Sequence, residues 1–395
     1  MLEFRTNWYH HTVTFNPFVI DRPLPPEELI DRTQQWTALV DRAEAGHNSR
    51  LSAPRRYGKT TLLRKAAREA EQHGLSTVYV DFFGVLSLEE MAVRIEQAYE
   101  EGLKGPVAQW FTGFRRRWRP RPRLALPGGG PGVDLEPRPE LEATRLMHEL
   151  LDLPRSVHER GGGRTLVVFD EFQDVLGAST GADGLIRSRI QHHRDEASYV
   201  FAGSHPGLMA ELFGDKVRPL YGQARPIELG PLDDADLAEY IVARFGQTGR
   251  DVAGSLEPLL ELVRGHPQRA MLVAHHLWEA TPRGGVVGQR EWSQATETMF
   301  DELQEAFERG WEVLSANERR VLAGVAWGGP WGGGGSLLSN STLARFNLSK
   351  SSARTVRDSL LKRGELEALE GNGIRMVDPL FEAWIATGRR PRPVV

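Results

Sequence analysis

Leu51-Ser-Ala-Pro-Arg-Arg-Tyr-Gly-Lys-Thr-Thr-Leu-Leu63 is the stretch on which the interpretation of the fold depends. It contains Gly58-Lys59-Thr60, which matches the end of the phosphate-binding motif of a glycine, four residues and Gly-Lys-Ser/Thr. Ala53 stands where the first glycine of that motif is usual. Such a loop directs several backbone N–H groups at triphosphate oxygens from the start of a helix. The stretch therefore predicts a strand, a phosphate loop and a helix in that order.

The residue types in this loop suit a nucleotide with a divalent cation. Gly58 lets the backbone approach phosphate closely, the ammonium of Lys59 fits between the β- and γ-phosphates, and the hydroxyl of Thr60 suits Mg²⁺. The alternative is a helix start that contains Gly-Lys-Thr by chance. The flanks favour the loop, because residues 48–53 can form a strand and apolar residues recur at helical spacing from Leu62 onward. The candidate nucleotide-binding positions are Ala53, Pro54, Arg55, Arg56, Tyr57, Gly58, Lys59, Thr60 and Thr61.

The composition is that of a globular protein without a strong overall charge. A length of 395 residues, 40% hydrophobic and 26% charged residues, and a net charge of −4 allow two or three domains and give no general attraction to nucleic acid or anionic membrane. The absence of cysteine excludes disulfides, thiolate metal sites and cysteine catalysis, and it fits a reducing cytoplasm. We expect no signal peptide, because residues 1–19 mix charged, polar and His residues. We also expect no membrane span, since no run of about 18 apolar residues occurs.

A second predicted strand ends in two carboxylates. Residues 164–170 contain a continuous apolar run, which is typical of a strand buried on both faces of a parallel sheet. Ligands bind at the carboxyl ends of such strands. We therefore predict that Asp170 holds Mg²⁺ through water and that Glu171 polarises the attacking water as a base. The alternative is an acidic helix start, which the helix dipole also favours.

A third predicted strand, 199–203, ends at Ser204, which is our candidate for sensing the γ-phosphate. Together with Lys59, Asp170 and Glu171, it completes the predicted catalytic set. Polar groups at the carboxyl ends of neighbouring parallel strands meet at one edge of a sheet. The sequence therefore predicts one catalytic site beside the phosphate loop.

Strands and helices alternate along residues 1–230, which predicts a P-loop core of α/β class with a doubly wound parallel sheet. We expect a helix over 28–45 and an inserted hairpin or loop over 104–140, where basic, aromatic and Gly-rich runs break the pattern. The basic run of this insertion suits nucleic acid or an acidic partner, and a solvated surface hairpin is the alternative that we favour. Residues 231–300 are predicted as a small helical lid, with helices over 234–246 and 256–280.

The residues from 301 to 395 predict a winged helix. Two helices, over 340–345 and 350–363, are followed by a hairpin around Gly371-Asn-Gly373. The segment from Trp311 to the end carries 12 Lys and Arg against 8 Asp and Glu, so it is more positive than the rest of the chain. This charge favours contact with DNA, whereas a winged helix that packs internally or docks a protein is an equal alternative.

The second of these helices carries the candidate DNA contacts. Ser349 precedes it as the predicted N-cap. Lys350, Arg354 and Arg357 lie three or four residues apart and so share one helix face. A cationic face of this kind suits phosphate contact, although a solvated helix face has the same pattern.

Short motifs occur here in an order that resembles the archaeal-type AAA+ ATPases related to the STAND class. In chain order they are Ala53-Pro-Arg-Arg-Tyr-Gly-Lys-Thr, Phe169-Asp-Glu-Phe-Gln173, Gly203-Ser204, Pro219-Leu-Tyr-Gly222, Gly265-His-Pro267 and Asp378-Pro-Leu-Phe381. The resemblance runs roughly from Asn16 to Trp384, and the first and last motifs are the most specific.

The resemblance implies a three-layer AAA+-like core, a helical lid, a C-terminal winged helix, ATP with Mg²⁺, and weak or regulated hydrolysis. It also implies that adenine contacts Ile30, Arg32 and the Gly-His-Pro turn, in which Pro267 is the candidate. Ala53 in place of the first glycine is a departure that such proteins often tolerate.

A second departure bears on hydrolysis. Gln223 stands where an arginine often follows Pro-Leu-Tyr-Gly, and Arg218 and Arg225 are the neighbouring substitutes. If that arginine acts on the γ-phosphate, its loss weakens turnover. The leading hypothesis is an ATPase that switches with ATP and ADP. The alternatives are a DNA-binding regulator with structural ATP and negligible turnover, and an ATP-gated scaffold for a protein partner or for self-association.

Overall fold

The computed structural model describes residues 15–118, 139–328, 336–369 and 373–389. They form two compact units. The sheet unit comprises Arg32–Arg55 and Lys59–Leu229, and the helical unit comprises the described residues up to Asp31, Arg56–Gly58 and those from Gly230 onward. None of the helices in these ranges combines the length and the apolar character needed to cross a membrane.

A parallel sheet is the centre of the sheet unit. The order across it is β2-β3-β4-β1-β5, and every neighbouring pair is parallel. Strands β3 and β4 are buried along their whole length, as a continuous apolar run predicts for strands covered on both faces. The predicted α/β class is confirmed. The strands are β1 (Ser49–Ser52), β2 (Ser76–Asp81), β3 (Thr165–Asp170), β4 (Ala197–Gly203) and β5 (Arg225–Glu228).

Helices alternate with these strands along the chain. They are α1 (Thr33–Glu44), α2 (Lys59–Gln72), α3 (Leu88–Gly102), α4 (Gly105–Trp118), α5 (Pro139–Leu151), α6 (Leu153–Glu159), α7 (Val175–Ala178), α8 (Ala182–Ile190) and α9 (Pro206–Gly214). Helix α2 packs against β2 and β3, and α3 packs against β2. Apolar side chains such as Val80, Ile95, Phe169 and Phe201 form the core between them.

Helix α1 begins later than predicted. The sequence suggested a helix from residue 28, but Asp31 and Arg32 have φ values of 55° and 74°, in the left-handed region. A non-glycine residue in that region interrupts a right-handed helix. The helix therefore starts at Thr33, after a short 3₁₀ turn over Pro26–Glu28.

The predicted insertion over 104–140 is wrong where the structure describes it, because α4 is a helix and not a hairpin arm. Val107 and Phe111 are buried, and Trp110 and Phe114 pack beside them. These residues recur at intervals of three and four, which forms an apolar helix stripe. The rest of the insertion, 119–138, lies outside the described residues.

The helical unit has its own apolar core, which includes Phe18, Phe245, Leu277 and Trp384. Its elements are α10 (Asp234–Gln247), α11 (Leu256–Val263), α12 (Pro267–Ala280), α13 (Gln289–Glu312), α14 (Ala316–Gly328), α15 (Asn340–Arg345), α16 (Lys350–Arg363), β6 (Leu366–Ala368), β7 (Ile374–Met376) and α17 (Pro379–Ala386). Strands β6 and β7 pair antiparallel. The bounds of α15 and α16 agree with the prediction.

The helix predicted over 256–280 is two helices, because Arg264 and Gly265 are left-handed, with φ values of 48° and 71°. The hairpin is confirmed in its strands, while its turn at 370–372 lies outside the described residues. The domain boundaries predicted from the sequence stay predictions. In the structure the residues up to Asp31 group with the helical unit.

Candidate nucleotide-binding site

The sheet register brings the predicted catalytic residues to one edge. Ser52 of β1 is paired with Gly203 of β4, and Phe169 of β3 is paired with Phe201 of β4. These strands therefore end side by side. The phosphate loop, the acidic pair and Ser204 follow directly at these ends.

The loop geometry explains its sequence. Gly58 has a φ of +82°, which favours glycine, and Arg56 has a φ of 67°. Ala53 is buried and stays outside the left-handed region, so the usual first glycine is not required for its backbone conformation. Its N–H donates to the Gly203 carbonyl at 3.4 Å, which ties the loop to β4.

Lys59 lies beside Glu171 in the sheet unit. The side chain of Lys59 is 6% exposed, and its Nζ is 3.8 Å from Oε1 of Glu171. Burial lowers the pKa of Lys59 below its ordinary value, against the opposing charges of Glu171 and Asp170. The ammonium therefore occupies a largely dry position with carboxylate partners, where another anionic group can compete for it.

The second carboxylate oxygen of Glu171 is bound by Ser204 and Gln173. Its Oε2 accepts hydrogen bonds from Ser204 Oγ at 2.5 Å and from Gln173 Nε2 at 2.7 Å. Burial raises the pKa of Glu171, but the charge of Lys59 and these hydrogen bonds outweigh it and leave that pKa below its ordinary value. Glu171 also has a φ of 49°, an unfavourable backbone conformation that is often found at functional sites. The carboxylate is thus ionised and fixed in orientation.

Asp170 is buried and bonded to two donors. Tyr79 donates its hydroxyl to Oδ2 at 2.5 Å, and the Glu171 N–H donates to Oδ1 at 2.9 Å. Burial raises the pKa of Asp170 above its ordinary value, against the lowering effects of Tyr79 and Lys59. A nearby cation would favour its charged form.

Solved structures resemble the chain over nearly its whole length. The Walker-type ATPase of Pyrococcus abyssi is 18% identical, with coverage of 94% of this chain and 99% of that one and a TM-score of 0.65. The ORC2 protein of Aeropyrum pernix, in ADPNP–ADP complexes, is 16% identical, with coverage of 94% and 97% and a TM-score of 0.57. The chain has an AAA+ fold. No protein-family model and no curated protein matches it. At identities this low, the structural resemblance establishes the fold alone, and the function has to be argued from the residues.

Within this AAA+ fold, the remaining nucleotide candidates are distributed over both units. Arg55 places its guanidinium 5.9 Å from the ring centroid of Phe83 in the sheet unit, and Thr61 is buried in α2. Ile30 is buried in the core of the helical unit, and Pro267 is the first residue of α12. The roles predicted for Ile30 and Pro267 at adenine stay predictions, as do those of Pro54, Arg56, Tyr57, Thr60 and the buried, left-handed Arg32.

Of the arginine candidates near Gln223, Arg218 is already paired and Arg225 lies away from the phosphate loop. Arg218 bonds to Glu211 at 2.5 Å and lies 3.8 Å from Asp183. Arg225 is paired with the first residue of β1, Ser49, so it lies at the opposite end of the sheet from the phosphate loop. Neither arginine is therefore placed to act on phosphate at the loop of its own sheet unit.

The candidate DNA contacts on α16 differ from one another. Lys350 and Arg354 are exposed, whereas Arg357 is half-buried and pairs with Asp358 at 2.7 Å. The predicted N-cap is confirmed, because Ser349 Oγ accepts the Ser352 N–H at 3.1 Å. Two of the three cations are thus available on the surface.

Two polar residues at the site were missed by the sequence interpretation. Gln173 bonds to Glu171, and its Oε1 also accepts the Ser204 N–H at 3.3 Å. Tyr79 reaches Asp170 from the adjacent strand. Gln173 lies within a motif already quoted, so it was open to assignment. Tyr79 was not, because its contact depends on the strand order.

Proposed function

We propose that the chain binds ATP with Mg²⁺, hydrolyses it slowly or under regulation, and acts as a nucleotide switch. The observation that carries this proposal is the grouping of Lys59, Asp170, Glu171 and Ser204 at one edge of the sheet, next to the phosphate loop. The Aeropyrum pernix ORC2 structure contains ADPNP and ADP, which supports an adenine nucleotide here.

Each residue of this group has a distinct task. Lys59 leaves Glu171 to contact the β- and γ-phosphates, while Glu171, held by Ser204 and Gln173, accepts a proton from the attacking water. The Thr60 hydroxyl and the Asp170 carboxylate are the oxygen donors suited to Mg²⁺, since Mg²⁺ in such sites takes one or two protein oxygens together with phosphate oxygens. When held by these oxygens, Mg²⁺ would neutralise charge that develops on the phosphates.

The arginine positions support slow or regulated turnover. Gln223 is uncharged, and Arg218 is engaged by Glu211 and Asp183. An arginine on the γ-phosphate is worth about 10³–10⁵ in rate in related chemistry. Full activity would then require an arginine from a protein partner or a second copy of the chain.

The remaining parts of the proposal rest on the resemblance. Ile30, Arg32 and Pro267 are proposed adenine contacts. The relation to the STAND class and the winged-helix identity of the C-terminal elements are proposed on the same resemblance. A cytoplasmic location is proposed separately, from the lack of cysteine.

A DNA-binding regulator with structural ATP and negligible hydrolysis is the second candidate. The exposed cations Lys350 and Arg354 on α16 favour it. Phosphate contacts make binding salt-dependent, with a slope of about −0.9 per phosphate neutralised. Because Arg357 is paired with Asp358, we expect replacement of all three cations by Ala to reduce that slope by about 2 and not 3. Arg309→Ala, which removes an exposed cation of α13, is the control.

ATP turnover with and without Mg²⁺ and duplex DNA separates these functions. The ATPase switch predicts Mg²⁺-dependent turnover by the wild type. ATP binding with no turnover under either DNA condition, together with salt-dependent DNA binding, would favour the regulator. Failure to bind ATP would refute both.

A further inference from the structure

An ionic network in the helical unit joins α17 to the turn between α11 and α12. Arg264 donates to both carboxylate oxygens of Glu382, at 3.1 and 3.0 Å. Arg269 donates from Nε to Asp378 at 2.9 Å and makes a second contact through Nη2. Glu382 is 0% and Arg269 4% exposed. Their partners are partly exposed, Asp378 by 29% and Arg264 by 16%. Each arginine therefore contacts a carboxylate through two nitrogen atoms, with one buried partner in each pair.

The same turn contacts the phosphate loop. The rings of Tyr57 and His266 meet edge to face, with centroids 4.9 Å apart, and both residues are buried. His266 caps α12, because its Nδ1 accepts the Arg269 N–H at 3.3 Å. A continuous series of contacts thus runs from Tyr57 through His266 and Arg269 to Asp378.

The turn itself has little freedom to adjust. Gly265 has a φ of +71°, and a Cβ at this position would lie 2.4 Å from the Leu232 carbonyl oxygen. Its own carbonyl accepts the Leu232 N–H at 2.8 Å. Arg264 is also left-handed, with a φ of 48°. A displacement at one end of this turn is therefore transmitted to the other end.

Stability alone does not account for two ion pairs in one small region that each have one buried partner. The desolvation cost of such pairs commonly cancels their attraction, and apolar replacements are often equally stable. Both carboxylates also perform a second task. Asp378 accepts the N–H groups of Leu380 and Phe381 at the start of α17, and Glu382 accepts that of Met376. The network fixes the position of α17 relative to the turn.

We propose that Asp378 and Glu382 are positioning residues for the phosphate loop, acting through the turn and its contact with Tyr57. This inference rests on the proposed function, since it requires that the loop binds ATP. The coupling is reciprocal. If the ion-paired position of α17 strengthens ATP binding at the loop by some factor, bound ATP stabilises that position of α17 by the same factor. The Asp378-Pro-Leu-Phe381 motif then links the C-terminal elements to the nucleotide.

Asp378→Asn and Glu382→Gln test the forward direction. Asn still caps α17 but no longer carries the charge that holds Arg269, and Gln keeps the shape of Glu382. We expect each variant to bind ATP about five- to a hundredfold more weakly. Asp233→Asn is the matched control, because Asp233 caps α10 in the same unit through the N–H groups of Ala235 and Asp236. A purely structural role would lower the melting temperature and leave the ATP Kd of the folded protein unchanged.

Hydrogen exchange in the wild type tests the reverse direction and does not depend on any variant folding. We expect ATP to slow exchange of the amides of α17 and not those of α13, which serves as the internal reference. ATP binding with no change in α17, or an ATP Kd within twofold of wild type in both folded variants, would refute the coupling alone. Absence of ATP binding by the wild type would refute the proposed function, and the coupling with it.

Discussion

Replacement of Glu171 by Gln separates nucleotide binding from hydrolysis. In the protein, Oε2 of Glu171 accepts from Ser204 and Gln173, while Oε1 faces Lys59. The amide oxygen of Gln can keep both accepted hydrogen bonds, so the side chain should hold its place. The amide cannot take a proton from water, however, and it carries no charge for Lys59.

The effect on ATP binding follows from the Lys59–Glu171 pair. Across the 3.8 Å between Nζ and Oε1, an effective dielectric constant of about 20 gives an attraction of about 4 kcal/mol. Burial outweighs this attraction, because the pKa of Lys59 is below its ordinary value. We therefore expect the ATP affinity of the variant to stay within about tenfold of wild type, on the tighter side. Loss of the base should lower hydrolysis on the order of 10²-fold or more.

Single-turnover hydrolysis and equilibrium binding of labelled ATP, measured on the same preparations, test both expectations. Glu159→Gln is the matched control, since Glu159 is 62% exposed on α6 and should leave both quantities unchanged. If Glu171→Gln hydrolyses ATP at the wild-type rate, Glu171 is a residue of the turn after β3 with no catalytic role.

Two further predictions concern stability in the helical unit. Gly265→Ala should lower the free energy of unfolding, measured in urea, by more than about 2 kcal/mol, because its Cβ would meet the Leu232 carbonyl. Gly284→Ala is the control: Gly284 has a φ of +80° but open space around it, so this variant should lose less stability. Equal losses in the two variants would contradict the steric argument. Burial lowers the pKa of His266 to about 4, so the unfolded chain takes up the proton first as the pH falls below its ordinary value of 6.5. Titration of His266 should therefore lower the free energy of unfolding by about 2 kcal/mol between pH 7 and pH 5. In urea titrations, His266→Asn should show a flatter dependence of stability on pH over this range. An unchanged pH dependence in the variant would refute this role of His266.

Local sequence determined those parts of the fold whose cause is local. The apolar run of β3 and the N-cap at Ser349 were predictable because burial on two faces and capping leave short patterns. Helix α4 was missed although the spacing of Val107 and Phe111 was present, because the basic, aromatic and Gly-rich runs of 104–140 favoured a hairpin or loop.

Features that depend on distant pairing were out of reach. The bond of Tyr79 to Asp170 requires that β2 lies next to β3, and no local pattern gives that order. The Arg269–Asp378 pair joins residues 109 positions apart. The Asp378 motif was visible in the sequence, but its partner was not, because buried ion pairs show no periodicity.

Equilibrium binding of ATP to the wild type and to Lys59→Ala tests the central claim most directly. Lys59 is the buried cation of α2 at the phosphate loop, and a charge-assisted contact is worth about 1.5–3 kcal/mol. Lys65→Ala is the control, because Lys65 is on the same helix, 25% exposed and paired with Glu69. We predict that the wild type and Lys65→Ala bind ATP alike and that Lys59→Ala binds it about ten- to a hundredfold more weakly. An affinity of Lys59→Ala within a few-fold of wild type would contradict the assignment of this loop to ATP.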